Sequence, residues 1–206
     1  MTQATAEKRS PNVHWLLKLF AQGVLKLFGW TTEVDEALVH AYPKYILVAA
    51  PHTSNWDAVF GWLGFMAEDI GASIIIKQEW LNTPLIGRLL SSIGCVGIDR
   101  SGSQSTIRQV VDLFEKSPRF VMVIAPEGTR DKVEQWKAGF YFIAKKAKVP
   151  LMLGGPDYRR KVCTIAPIVV QPTGDIEADM NHFKPFLDQI TPRHPQKKSE
   201  MVFRSK

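Results

Sequence analysis

A strand-like run, YILVAA, stops at Pro51 and delivers His52, with Asp57 five residues on. An imidazole can take a proton near neutral pH, and a carboxylate beside it can hold the ring and stabilise the imidazolium that forms. Five residues along a continuous helix would set two side chains about 140° apart. The pair can therefore meet only if His52 lies in the loop and Asp57 in the first helical turn, for which Thr53, Ser54 and Asn55 supply capping side chains. Taken alone, the pair reads equally as a loop histidine and a carboxylate at a helix dipole. A second run, FVMVIA-PEGTR, ends in Glu127, Gly128, Thr129 and Arg130. Glycine lets backbone amides approach a ligand, threonine adds a hydroxyl, and arginine grips phosphate with two parallel hydrogen bonds. The segment reads as an oxyanion or phosphate cradle fixed by a carboxylate on its buried side; the alternative is a tight turn with a surface Glu–Arg pair. A third run, CVGIDR, ends in Asp99-Arg100. Arg100 is a further phosphate candidate, or half of a surface ion pair worth little. Sequence signatures of a serine elbow, a P-loop and a dinucleotide loop are missing. The chemistry expected is thus a histidine base acting on a substrate hydroxyl.

These residues need strands to deliver them. Residues 45–50, 73–76, 95–98, 120–125, 149–153 and 162–170 are β-branched or continuous apolar runs bounded by turn residues, which predicts strands. Helical patterns lie between them near 56–69, 84–93, 103–116, 138–148 and 176–190. Such alternation implies a single α/β domain with a largely parallel central sheet flanked by helices. In such sheets the working residues sit in loops beyond the carboxyl ends of the strands. A chain of 206 residues, 45% apolar and 22% charged, is long enough for one domain with a sizeable core.

Ahead of that domain, Ser10-Pro11 reads as a helix start. His14, Lys18, Gln22 and Lys26 then recur every four residues as one polar stripe, while Trp15, Leu16, Leu19, Phe20, Leu27 and Phe28 belong to an apolar arc wider than a surface helix needs. That pattern suits an amphipathic helix lying in a membrane surface, or one packed on the domain or on another chain. No run of about 20 apolar residues is present, so no membrane span is expected. No secretory signal is expected either. Attachment is therefore expected to be peripheral, on the cytoplasmic face. The net charge of +6 fits an anionic partner. The arginines sit at strand ends, not along one basic helix, so nucleic acid is not expected. A basic tail is expected from Arg193 through Lys197, Lys198 and Arg204 to Lys206. The division expected is 1–30 membrane-surface helix, 31–192 catalytic domain and 193–206 tail. Cys95 and Cys163 have no metal spacing and read as buried reduced thiols.

Together the three strand-end segments resemble the glycerophospholipid acyltransferase family, in order and in spacing, over about residues 45–155. His52 and Asp57 match its H-x4-D block, Gly97-Ile98-Asp99-Arg100 its second, and Pro126-Glu127-Gly128-Thr129-Arg130 its third. Lys77 sits where members often place a phosphate-contacting lysine. The resemblance implies that His52 deprotonates an acceptor hydroxyl, which attacks the thioester of acyl-CoA or acyl-carrier protein, while Asp57 orients His52. Lys77, Arg100 and Arg130 would hold the phosphate of a lysophospholipid acceptor such as 1-acylglycerol-3-phosphate, with Gly128 and Thr129 nearby. No metal and no cofactor are implied. The fourth block departs from the family: Val149-Pro150 is kept, but Leu151-Met152-Leu153 runs into Gly154-Gly155-Pro156-Asp157-Tyr158.

Overall fold

A computed structural model describes residues 13–92, 94–98 and 106–203. The elements are α1 (Trp15–Leu27), β1 (Thr31–Glu33), α2 (Glu36–Ala41), β2 (Lys44–Ala49), α3 (Asn55–Ala67), β3 (Ala72–Lys77), α4 (Gln78–Leu81), α5 (Pro84–Ser92), β4 (Cys95–Ile98), α6 (Thr106–Lys116), β5 (Phe120–Ile124), α7 (Gly139–Ala147), β6 (Leu151–Asp157), β7 (Val162–Ile165), α8 (Ile176–Asn181) and α9 (Lys184–Gln189). One sheet carries the strands in the order β1-β7-β6-β2-β5-β3-β4. The five strands from β6 to β4 are mutually parallel, whereas β7 runs antiparallel to β6 and β1 pairs parallel with β7. The domain is therefore the expected α/β fold with a largely parallel sheet.

Alternation along β2 sets the layers. Ile46 and Val48 point to one face, with Val110, Phe114, Phe140 and Ile143 of α6 and α7. Tyr45 and Leu47 point to the other, with Val121, Met152 and Ile165. Successive strand side chains face opposite ways, so a strand buried on both faces must be apolar throughout. Because the five central strands run together, the chain leaving β2, β3, β5 and β6 emerges on one edge of the sheet.

Three expected elements differ. Residues 176–190 form α8 and α9 instead of one helix, since Pro185 lacks the N–H that would bond back to Asn181. The run 162–170 is a strand only to Ile165; Pro167 has no donor for a ladder, and Val170 bridges back to Leu151. β6 continues four residues past the expected end, to Asp157.

α1 packs on α3. Ala21, Leu25 and Trp30 are buried with Phe60, Leu63 and Ala67. The polar stripe turns partly inward, where the Gln22 side chain donates to the Ala67 carbonyl (3.3 Å). Trp15, Leu16, Leu19, Phe20, Leu27 and Phe28 are left exposed, Leu27 at 80%. Residues before 13, including the Ser10-Pro11 helix start, lie outside the described residues. The segment read from sequence as a basic tail is held along the domain as far as Phe203. The backbone N–H of Trp136 donates to the Val202 carbonyl (2.8 Å), Phe203 is buried beside Trp136, and the Lys198 ammonium donates to the carbonyls of Leu187 and Ile190.

Candidate active site

The turn from β2 into α3 is built by its own side chains. Ser54 and Asp57 form a capping box: the Ser54 hydroxyl accepts from the Trp56 N–H (3.2 Å), and Asp57 Oδ2 accepts from the Ser54 N–H (2.8 Å). Such a box satisfies the orphan donors of a first helical turn. The same Oδ2 accepts from the Thr53 N–H (2.6 Å) and lies 3.4 Å from His52 Nδ1. Asp57 Oδ1 accepts from the Tyr158 hydroxyl (2.8 Å). Burial works to raise the Asp57 pKa, but the hydrogen bonds from His52, Tyr158, Thr53 and Ser54 together hold it below the usual carboxylate value. A charged, rigid carboxylate thus faces one imidazole nitrogen and favours a proton there. Nε2, across the ring, is left for a substrate, and the His52 side chain remains 24% exposed.

The loop after β5 closes against this turn. Glu127 is 3% exposed; its Oε1 accepts from the His52 N–H (3.0 Å), while Oε2 has no partner. Burial is the main reason its pKa is raised, opposed by backbone hydrogen bonds including the one from His52. Glu127 thus anchors the His52 backbone from behind. Gly128 has φ +67°, a conformation that favours glycine, and a Cβ there would lie 2.5 Å from the Lys137 Nζ. Arg130 donates to the Asn55 side chain, tying the loop to the start of α3. His52, Asp57, Glu127, Gly128, Thr129 and Arg130 are therefore one cluster. Lys77 ends β3 on the same edge, two strands from β2 and exposed. Arg100 lies outside the described residues. Among the described residues no group of three or more His, Cys, Asp and Glu could hold a metal ion.

Behind the dyad a cavity of about 290 Å³ runs between α3 and the sheet. His52 and Asp57 stand in its wall, together with Gly61, Trp62 and Phe65 of α3, Ile74 and Val123 of the sheet, and Val34 and Ile70. Gly154 and Gly155 keep β6 close to its neighbours: a Cβ on Gly154 would lie 2.5 Å from the Thr164 carbonyl oxygen, and one on Gly155 2.6 Å from that of Ala50. Cys163 also faces this space, and burial pushes its thiol up to about 12, so it behaves as an apolar wall.

A family model described as Acyltransferase matches residues 34–171. The chain belongs to the Acyltransferase family. Among solved structures, this acyltransferase is similar to the 1-acyl-sn-glycerophosphate (LPA) acyltransferase PlsC from Thermotoga maritima, with a TM-score of 0.57 and 18% identity over 87% of this chain and 80% of that one. At that identity the likeness is one of fold. No curated protein sequence matches the acyltransferase.

Three parts of its site were not assigned there from the sequence. Tyr158 reaches Asp57 from 101 positions away. Arg193 lays its guanidinium 5.6 Å from the Trp56 ring centre and 5.9 Å from that of Tyr158. Lys137 brings a cation over Gly128. Only the third could have been sought, as a basic residue soon after the glycine loop.

Proposed function

We propose that this acyltransferase moves a fatty acyl group from acyl-CoA or acyl-carrier protein to the hydroxyl of a lysophospholipid such as 1-acylglycerol-3-phosphate, at an anionic membrane surface, as a step of phospholipid biosynthesis. The observation that carries this reading is the His52–Asp57 pair standing in the wall of an apolar cavity, with Arg130 and Lys137 on the adjoining loop. His52 Nε2 takes the proton of the acceptor hydroxyl as its oxygen attacks the thioester carbonyl. The tetrahedral intermediate collapses, the C–S bond breaks, and the imidazolium returns the proton to the leaving thiolate. Asp57 orients the ring and stabilises its charge in between. The cavity takes the donor's alkyl chain, and the cations of the Gly128 loop take the acceptor's phosphate, with Lys77 and Arg100 as further candidates. The 1-acyl-sn-glycerophosphate substrate in the name of the Thermotoga maritima neighbour supports the same acceptor class here.

The outward apolar arc of α1 would lie in the bilayer surface, on the cytoplasmic face. No described helix is long and apolar enough to cross a membrane. Incubating the enzyme with radiolabelled acyl-CoA or acyl-carrier protein and a panel of lysolipids tests the reading. Label is expected in a diacyl phospholipid when the acceptor carries a phosphate headgroup. Lipid binding without transfer to any acceptor would replace the enzyme with a lipid-binding protein.

A further inference from the structure

Tyr158 follows β6, on the stretch where the sequence leaves the acyltransferase pattern. Its hydroxyl donates to Asp57 Oδ1 at 2.8 Å, whereas the backbone amides of the α3 turn reach only Oδ2. We infer that Tyr158 is a positioning residue for the dyad: its hydroxyl holds the Asp57 carboxylate in the plane that presents Oδ2 to His52. This inference rests on the acyl-transfer reading above.

The placement of the ring supports a directed role. Tyr158 meets Trp30 edge-on at 5.1 Å and Phe60 perpendicularly at 6.1 Å, and the Arg193 guanidinium covers its face at 5.9 Å. Its backbone N–H donates to the Thr191 carbonyl (2.9 Å). Elements far apart in the chain thus clamp one side chain so that a single polar atom meets a single carboxylate oxygen. Without that donor, Oδ1 of a carboxylate only 6% exposed loses its hydrogen bond from Tyr158, and a buried unpaired acceptor is costly. Burial raises the Tyr158 pKa, and Asp57 raises it further, so the phenol keeps its proton and stays a donor.

The charged or titratable groups facing the pair are Glu127 from the β5 loop, which meets the His52 N–H, and Arg193 from the C-terminal segment, over Tyr158. Glu127 keeps its contact when the phenol is removed, whereas Arg193 loses its interaction with the phenol oxygen and keeps only its place over the ring. The Tyr158 hydrogen bond spreads the negative charge of Asp57. Deleting it leaves that charge more concentrated, which favours the protonated imidazole. A carboxylate free to turn also holds the ring less well.

Tyr158→Phe removes one oxygen and keeps the ring contacts. In acyl-transfer assays across pH, kcat is expected to fall about tenfold, as for loss of one charge-assisted hydrogen bond. KM for donor and acceptor should stay unchanged, and the acidic limb of the pH–rate profile should move to higher pH. Phe60→Leu loosens the same packing but keeps the hydroxyl, and should lower the melting temperature without moving that limb. A wild-type kcat and an unmoved limb in Tyr158→Phe overturn the inference. So does an equal shift in Phe60→Leu, since ring packing would then be the cause. His52→Ala separates the two levels. If it is inactive, the dyad stands whatever Tyr158→Phe does. If it retains activity, the acyl-transfer mechanism falls and the role of Tyr158 with it.

Discussion

The cavity beside His52 and the outer face of α1 are both apolar, yet small residues open space in the first and bulky side chains project from the second. Small residues shape the cavity: Ala58 and Gly61 on α3, and Gly154 and Gly155 on β6. The arc of α1 is made of Trp15, Leu16, Leu19, Phe20, Leu27 and Phe28, all exposed. A walled slot excludes water from one extended chain and discriminates by length. An open arc of bulky side chains offers area to a surface and discriminates little. On the reading proposed above, fatty acyl transfer at a bilayer would use one of each.

The largest effect expected on that contrast breaks its first half. Nothing lies within 4 Å of a Cβ built on Gly61, so a side chain can grow there into the cavity. Gly64, one turn on, has no such freedom, because a Cβ would lie 2.7 Å from the Cys163 Cβ. Gly61→Leu displaces roughly four methylenes' worth of burial, so kcat/KM for a long-chain thioester should fall about 200-fold. A butyryl thioester should react nearly as before. Steady-state assays over a series of donor chain lengths check this; a uniform loss at every length would remove the cavity from donor binding.

The second half is tested on α1. Replacing Leu16, Phe20 and Leu27 together by Glu should weaken co-sedimentation with anionic vesicles at least about tenfold, since apolar area and electrostatic attraction both suffer. Raised salt should weaken wild-type binding only in part, because insertion of apolar groups is not screened. Point substitutions are needed here, because deleting residues 1–30 would also strip Ala21, Leu25 and Trp30 from the face that supports α3 and Tyr158. Unchanged sedimentation would assign the arc to another protein surface.

The smallest effect lies behind the dyad, at Glu127. Glu127 has its pKa raised by burial, so folding favours its protonated form. Its contribution to stability is full below the ordinary carboxylate value of 4.5 and is lost as pH rises through the raised one. Gln does not titrate. The stability of Glu127→Gln relative to the wild type, measured by urea unfolding, should therefore rise as pH increases from below 4.5 towards neutral. A flat difference would mean that Oε2 already has a partner such as water. Asp57, with its lowered pKa, contributes in the opposite sense: above its ordinary value, and less as pH falls.

Much of this site was legible from local spacing. The loop position of His52 and the first-turn position of Asp57 follow from the angle between them and from Ser54 as a cap, and both are found. The buried-side carboxylate at Glu127 is likewise where the strand end put it. Tyr158 was not legible, because the contact with Asp57 closes over 101 residues and no spacing rule reaches that far. The cavity was not legible either: Gly61 and Gly154 become walls only once α3 lies across β6. The residues from Arg193 read as a basic tail because their charges were counted, whereas the bonds of Ser199 and Lys198 and the burial of Phe203 hold them along the domain. Pro185 did carry the break between α8 and α9, in a run whose apolar pattern masked it.

Acyl transfer by purified His52→Ala, measured with labelled thioester and a lysolipid acceptor beside the wild type, bears most directly on the His52–Asp57 base. The backbone N–H that bonds Glu127 is kept in that variant, so its circular dichroism spectrum and melting curve should match the wild type. Turnover should drop by about 10³-fold or more, as expected when a general base is lost. Wild-type turnover by the folded variant would contradict the mechanism outright.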